Sequence, residues 1–191
     1  MHEQEGLNLN PTQQSMVALW EQHIAAEFQK HDVEATLPTM TLDPHVIHMP
    51  VMTGGAGLEG VREFYSKYFI PGLPSDSEIV LVSRTIGLNR IVDELVYRFT
   101  HTIEMPWMLP GVPPTGKRVE VPVVAIVEFQ DGKIAREHIY WDQASVLVQL
   151  DVIKNDNLPV AGVETTRKLL DPSLPSNELI KRADRLQKGG F

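Results

Sequence analysis

The chain contains no cysteine, which excludes disulfides, thiolate nucleophiles and cysteine-ligated metals. Positive charge is also scarce: 17 Lys and Arg stand against 25 Asp and Glu, giving a formal charge of −8 and a pI near 5.3. Basic residues are scattered, with no run longer than Lys117-Arg118. Nucleic-acid backbones and anionic membrane surfaces repel such a chain at long range, so no nucleic acid and no membrane is expected as a partner. A small, weakly charged organic molecule fits better. Long apolar runs are missing too; none approaches the roughly 20 residues needed to cross a bilayer. The polar start MHEQEGLNLNP lacks the basic stretch and apolar core of a signal peptide. These absences together predict a soluble, cytoplasmic protein.

What is present is an ordinary globular composition, 42% hydrophobic and 22% charged over 191 residues, enough for one well-cored domain and too few for two. Residues 12–30 carry Met16, Leu19, Trp20, Ile24 and Phe28 at helical spacing behind Asn10 and Pro11, which are placed as N-cap and first-turn proline. Asp32 can cap a second, shorter helix running toward Pro38. PHVIHMPVM (44–52) reads as a strand, TGGAG as a turn, and LEGVREFYSKYF (58–69) as a third helix stopped by Pro71-Gly72.

The period then changes from helix to strand. SEIVLVSRTIGL, DELVYRFTHTIEM, RVEVPVVAIVEF and KIAREHIYWDQ all predict β-strands, the last two joined by a hairpin at Asp131-Gly132. Helices followed by an antiparallel meander make an α+β domain, expected over residues 1–150. Residues 151–191 form a C-terminal extension with short helices near 163–170 and 177–187, placed to wrap the same domain or a partner subunit. The segment 105–116, MPWMLPGVPPTG, is apolar and stiff with proline; it suits either a lid over a pocket or packing beneath the sheet.

The order of these elements, with HMPVMTGGAGLEGVREFY, VPPTGKRVEVPVVAIVEFQDGKIAREHIYWD and QASVLVQL, resembles the SnoaL-like polyketide cyclases of the NTF2-like superfamily. The likeness covers residues 12–150. It implies a cone of helices around a strongly curved, mostly antiparallel sheet enclosing an apolar pocket, and a homodimer formed through the outer face of the sheet. The run Val121 to Val127, apolar on both faces, agrees with such an interface.

Several residues are candidates for chemistry. In the last strand, residues two apart share a face, so His138, Tyr140 and Asp142 form a polar set while Glu137, Ile139 and Trp141 point the other way. If the polar set enters the pocket, Asp142 is the proton carrier. At about 3.3 Å per residue, His138 lies about 13 Å from it, too far for a hydrogen-bonded dyad. Its partner must come from another element. The likeness to ketosteroid isomerases places His48 where that family has its general-base aspartate, and an imidazole, with an ordinary pKa near 6.5, preserves the capacity for proton transfer. Cyclases of this kind often pair the late Asp with a His at the end of the long preceding strand. Here Met105 occupies that register, with His101 slightly upstream.

His101, Tyr140, His138 and Trp107 are thus the expected substrate-binding residues, and His48 and Asp142 the expected catalytic pair. Each has a plainer role open to it, as cap, salt bridge or core packing. His23 and His31 read as solvated positions on or past the first helix. No cofactor and no metal is expected. His45 and His48, three apart on a strand, face opposite ways, and neither H-E-x-x-H nor a P-loop occurs; the glycines at 54, 55 and 57 lack the dinucleotide-binding spacing. The expected function is a cofactor-independent acid/base enzyme, a cyclase, isomerase or dehydratase acting on an apolar oxygenated molecule of polyketide type. The alternatives are an epoxide or lactone hydrolase using Arg98 with Asp142 or Glu104, and a non-catalytic ligand-binding or dimerisation module.

Overall fold

Asn10 accepts a hydrogen bond from the Gln13 amide, and the Gln13 side chain accepts one from the Asn10 amide. This capping box, with Pro11, fixes the start of α1 (Pro11–Ala25). The computed structural model describes residues 9–156 and 158–188; residues 1–8 of the polar start that lacks signal-peptide features lie outside the described residues. From α1 the chain widens into a π-helical turn, Ala26–Lys30, which His31 ends in a left-handed conformation. Asp32 caps α2 (Val33–Thr36) by accepting from the Ala35 amide. Strands β1 (Met40–His48) and β2 (Thr53–Ala56) precede α3 (Gly57–Phe64), which runs on into a second π turn, Tyr65–Phe69.

The remainder of the sheet is β3 (Glu78–Ile86), β4 (Arg90–Thr100), β5 (Arg118–Gln130) and β6 (Lys133–Trp141). Three short helices follow: α4 (Gln143–Gln149), α5 (Glu164–Leu170) and α6 (Glu178–Lys188). The six strands lie in the order β2-β1-β6-β5-β4-β3. All neighbours are antiparallel except β1 and β6, which pair in parallel with Val46 opposite Glu137 and His48 opposite Ile139. Register shifts put extra residues in β1, β3 and β6 and bend these strands, and the sheet curls around α1 and α3 in an α+β, NTF2-like cone.

Three sequence expectations are corrected. TGGAG is not simply a turn: Thr53–Ala56 is a strand on β1. Its glycines are needed for close approach, since a Cβ on Gly54 would lie 1.9 Å from the Val46 carbonyl oxygen and one on Gly55 2.4 Å from that of Gly60. The strand predicted from DELVYRFTHTIEM ends early, at Thr100, so His101 begins the following segment. The last strand stops at Trp141, and QASVLVQ is helix α4.

A buried polar anchor helps hold α1 against the sheet. Trp20 Nε1 donates to Asp93 Oδ2 at 2.8 Å, and Arg84 grips the same carboxylate with Nε on Oδ1 at 2.7 Å and Nη2 on Oδ2 at 2.9 Å. Asp93 is buried, so its charge is met on both oxygens. The 105–116 segment packs into the core: Met105, Trp107, Met108 and Leu109 are all buried, and the Trp107 indole donates to the Gly72 carbonyl at 2.9 Å. In the extension, Thr166 of α5 is buried and donates to the Glu120 carbonyl at 2.8 Å. Among the described residues no helix is long and apolar enough to cross a membrane.

Candidate active site

Between α1 and the concave face of the sheet lies a cavity of about 80 Å³, measured as the space the centre of a water molecule can occupy. That volume holds several waters or part of a small molecule. Its wall is overwhelmingly apolar and aromatic, with Phe69, Tyr97, Trp107 and Trp141 among the lining side chains. Into this surface project two carboxyl groups, Glu27 and Glu137, and one imidazole, His48.

Both glutamates meet His23. Its Nε2 lies 3.1 Å from Glu27 Oε1 and 3.1 Å from Glu137 Oε1, and the Tyr65 phenol oxygen is 3.3 Å away. The other ring nitrogen is settled by bonding logic. Thr39 Oγ1 spends its only proton on the Thr36 carbonyl at 2.6 Å, so it must accept from His23 Nδ1, also 2.6 Å away. With Nδ1 protonated, a second proton on Nε2 makes an imidazolium facing two carboxylates. Complete burial alone would lower the His23 pKa, but Glu137 and then Glu27 outweigh it and push it up to about 10. Burial also raises the Glu27 carboxyl, with His23 pulling it partway back. Burial, followed by Glu137 and Glu27, drives the Tyr65 phenol well up, so it stays neutral.

This cluster follows from local structure. Met16, Trp20, His23 and Glu27 recur at spacings of four, three and four along one buried stripe, and the π turn begins within it; such turns recur at functional sites. Glu137 reaches the same place from β6, whose inward set is Glu137, Ile139 and Trp141. The solvated position expected for His23 is therefore wrong. Its side chain is fully buried, because the polar pair continues the stripe that Met16 and Trp20 define. That continuation was the available signal.

The expected site residues separate. His48 and Trp107 line the cavity, their ring centroids 4.9 Å apart. Burial lowers the His48 pKa to about 3, so the ring is neutral. Asp142 does not join them. It is exposed and caps α4, its Oδ1 accepting from the Ser145 amide at 3.1 Å, because the strand ends one residue before it. The polar face of β6 looks outward: Tyr140 is 40% exposed, and His138 stands edge-on to His45 at 5.6 Å. Burial, then His45, lowers the His138 pKa. His101 is buried away from the cavity lining, its Nδ1 3.3 Å from Thr115 Oγ1.

The hydrolase alternative loses its geometry as well. Arg98 pairs with Glu120 at 3.0 Å and Glu78 at 3.3 Å, Glu104 is exposed, and no arginine lines the cavity. His23, Glu27 and Glu137 do bring three potential metal donors within 4.8 Å of one another, a set that a search by spacing along the sequence misses.

Comparison with known proteins agrees with this architecture. Residues 20–137, more than half of the chain, match the family described as SnoaL-like domain. Among solved structures, one described as a SnoaL-like polyketide cyclase from Jannaschia sp. CCS1 superposes with a TM-score of 0.62 at 19% identity, covering 78% of this chain and 100% of that one. TsrD from Streptomyces laurentii gives 0.60 at 18% identity, covering 76% and 100%. AclR from Streptomyces galilaeus, described as a hydroxylase, gives 0.57 at 20% identity, covering 74% and 99%. At these identities the likeness is one of fold. No curated protein matches the chain in sequence.

Proposed function

Taking as premise that the chain belongs to the SnoaL-like domain family, we propose that it is an acid/base catalyst acting on a small, apolar, oxygenated molecule of polyketide type. The observation that carries this reading is Glu137, a buried carboxylate on an apolar cavity wall whose Oε1 lies beside His23 yet accepts no hydrogen bond. In the proposed step Glu137 takes a proton from a carbon next to a carbonyl, and the C–H electron pair moves to form an enolate. The neutral His48 ring or the Tyr65 phenol donates a hydrogen bond to the developing oxyanion. Protonated Glu137 then returns the proton at another atom for isomerisation. In cyclisation the enolate carbon bonds to a second carbonyl, whose π electrons move to its oxygen, and that oxygen takes the proton back from Glu137; in dehydration a β-hydroxyl leaves with that proton as water. His23 is a positioning residue, whose positive charge stays beside the carboxylate throughout.

The test is solvent exchange into an enolisable two-ring ketone, 1-tetralone, followed by proton NMR in D2O. The wild-type chain is expected to accelerate α-deuteration, and Glu137→Gln to remove the acceleration while retaining the fold. Wild-type protein that binds the ketone without accelerating exchange would overturn the reading. A homodimer through the outer sheet face belongs to the same proposal, supported by Val92, Val124, Ile126 and Tyr140, all at least partly exposed there. Light scattering in solution tests it, and a clean monomer would refute it.

A further inference from the structure

Three residues of the cavity wall each carry an unmet polar atom. Glu137 Oε1, His48 Nδ1 and Trp141 Nε1 are each buried without a hydrogen bond, and all three residues line the same cavity. Glu137 Oε1 is close to His23 Nε2, but the single Nε2–H is directed at Glu27. An unpaired buried donor or acceptor costs about 1–3 kcal/mol. Three on one wall therefore point to an outside partner. Among the described residues the one other such atom, His101 Nε2, lies off this wall.

The sheet fixes their order. Glu137 and Trp141 share a face of β6 four residues apart, which puts about 13 Å between their Cα atoms. His48 stands opposite Ile139 on β1, level with the midpoint. The three atoms also differ in kind: an indole N–H only donates, a carboxylate oxygen only accepts, and a neutral imidazole offers either. Around them the wall is aromatic, with Phe69 and Trp107 rings 5.0 Å apart, a surface suited to a flat molecule.

We propose that this row reads a flat, ring-based ligand with oxygens on opposite edges: a carbonyl-type acceptor taking the Trp141 N–H, and a hydroxyl or acidic C–H meeting Glu137. His48 serves the middle of the ligand. The inference rests on the acid/base reading of the cavity and adds the residue that selects the ligand. Trp141 discriminates through its N–H and not through its bulk.

Binding is measured by calorimetry with three naphthalene probes that differ only in their polar ends. These are 6-hydroxy-2-acetonaphthone with both, 2-naphthol with the donor alone and 2-acetonaphthone with the acceptor alone. The bifunctional probe is expected to bind about ten-fold more tightly than either parent, the discrimination one good hydrogen bond supplies. Trp141→Phe, which keeps an aromatic ring and loses the donor, should bring the bifunctional probe to the level of 2-naphthol and leave 2-naphthol itself unchanged. Equal binding of all three probes by the wild-type protein overturns the proposal, as water alone would then satisfy the row. So does a Trp141→Phe loss shared equally by 2-naphthol, which would mark the ring as packing. The wild-type series decides the matter even where the variant folds poorly. Binding is read separately from deuteration, so selective binding without exchange refutes the catalytic reading alone.

Discussion

Glu137 Oε1 lies 3.1 Å from His23 Nε2, although one residue belongs to the last strand and the other to the first helix. The contact exists only when α1 is docked on the concave face of the sheet. Packing of that helix and protonation of the cluster are therefore one equilibrium.

The first consequence is an alkaline limb in stability. His23 titrates near 6.5 when unfolded and at about 10 in the fold. A raised folded value contributes stability that is fully present below about 6.5 and is lost as pH rises through about 10. Denaturant midpoints should fall across that window, with the unfolding free energy dropping by at most about 1.4 kcal/mol per pH unit, and His23→Gln should flatten the limb. A wild-type midpoint that stays level from pH 7 to 10 would refute the imidazolium assignment.

His48 produces the opposite limb. Its folded value of about 3 lies below the unfolded 6.5, so its contribution is present above about 6.5 and lost as pH falls toward 3. His48→Phe should remain closer to constant stability between pH 6.5 and 4 than the wild type does, by one proton's slope. Parallel acid limbs in the two proteins would show that His48 is not held neutral.

Asp142 gives a clean separation of stability from chemistry. As the N-cap of α4 its loss in Asp142→Ala should cost about 1 kcal/mol, read as a lower melting temperature, while α-deuteration of 1-tetralone proceeds at the wild-type rate. A variant of undiminished stability but lost exchange would restore it as a catalytic residue.

Metal and proton compete for one lone pair on His23. With Nε2 protonated up to about 10, Zn²⁺ or Mn²⁺ at neutral pH must displace a proton to bind. Neither ion is expected to raise the melting temperature. A rise with Zn²⁺ that His23→Gln abolishes would instead identify His23, Glu27 and Glu137 as a cation site.

Much of the fold was legible because its signals are local. Asn10-Pro11, Asp32 and Asp131-Gly132 mark ends that the structure reproduces, and the family likeness supplied the cone. The site was legible only in part. Strand alternation correctly divided residues 137–141 into two sets, though not Asp142, which lies past the strand end, and alternation cannot tell which set faces inward. That was decided by the parallel register of β6 on β1, which puts Glu137 beside Val46 in the wall. Likewise His23 reads from the sequence as a solvated helix position, because Glu137, the distant partner that makes burying it tolerable, is invisible to local spacing.

The parallel seam between β1 and β6 also dictates when the cavity can form. A strand formed early in the chain waits for the last strand, with β3, β4 and β5 made in between, and closing so long a loop is slow relative to forming helices or hairpins. Until β6 arrives, β1 keeps one edge open and Glu137 has no place beside α1. During synthesis the cavity is therefore completed late, and until β6 arrives the open edge of β1 is free to pair with another chain.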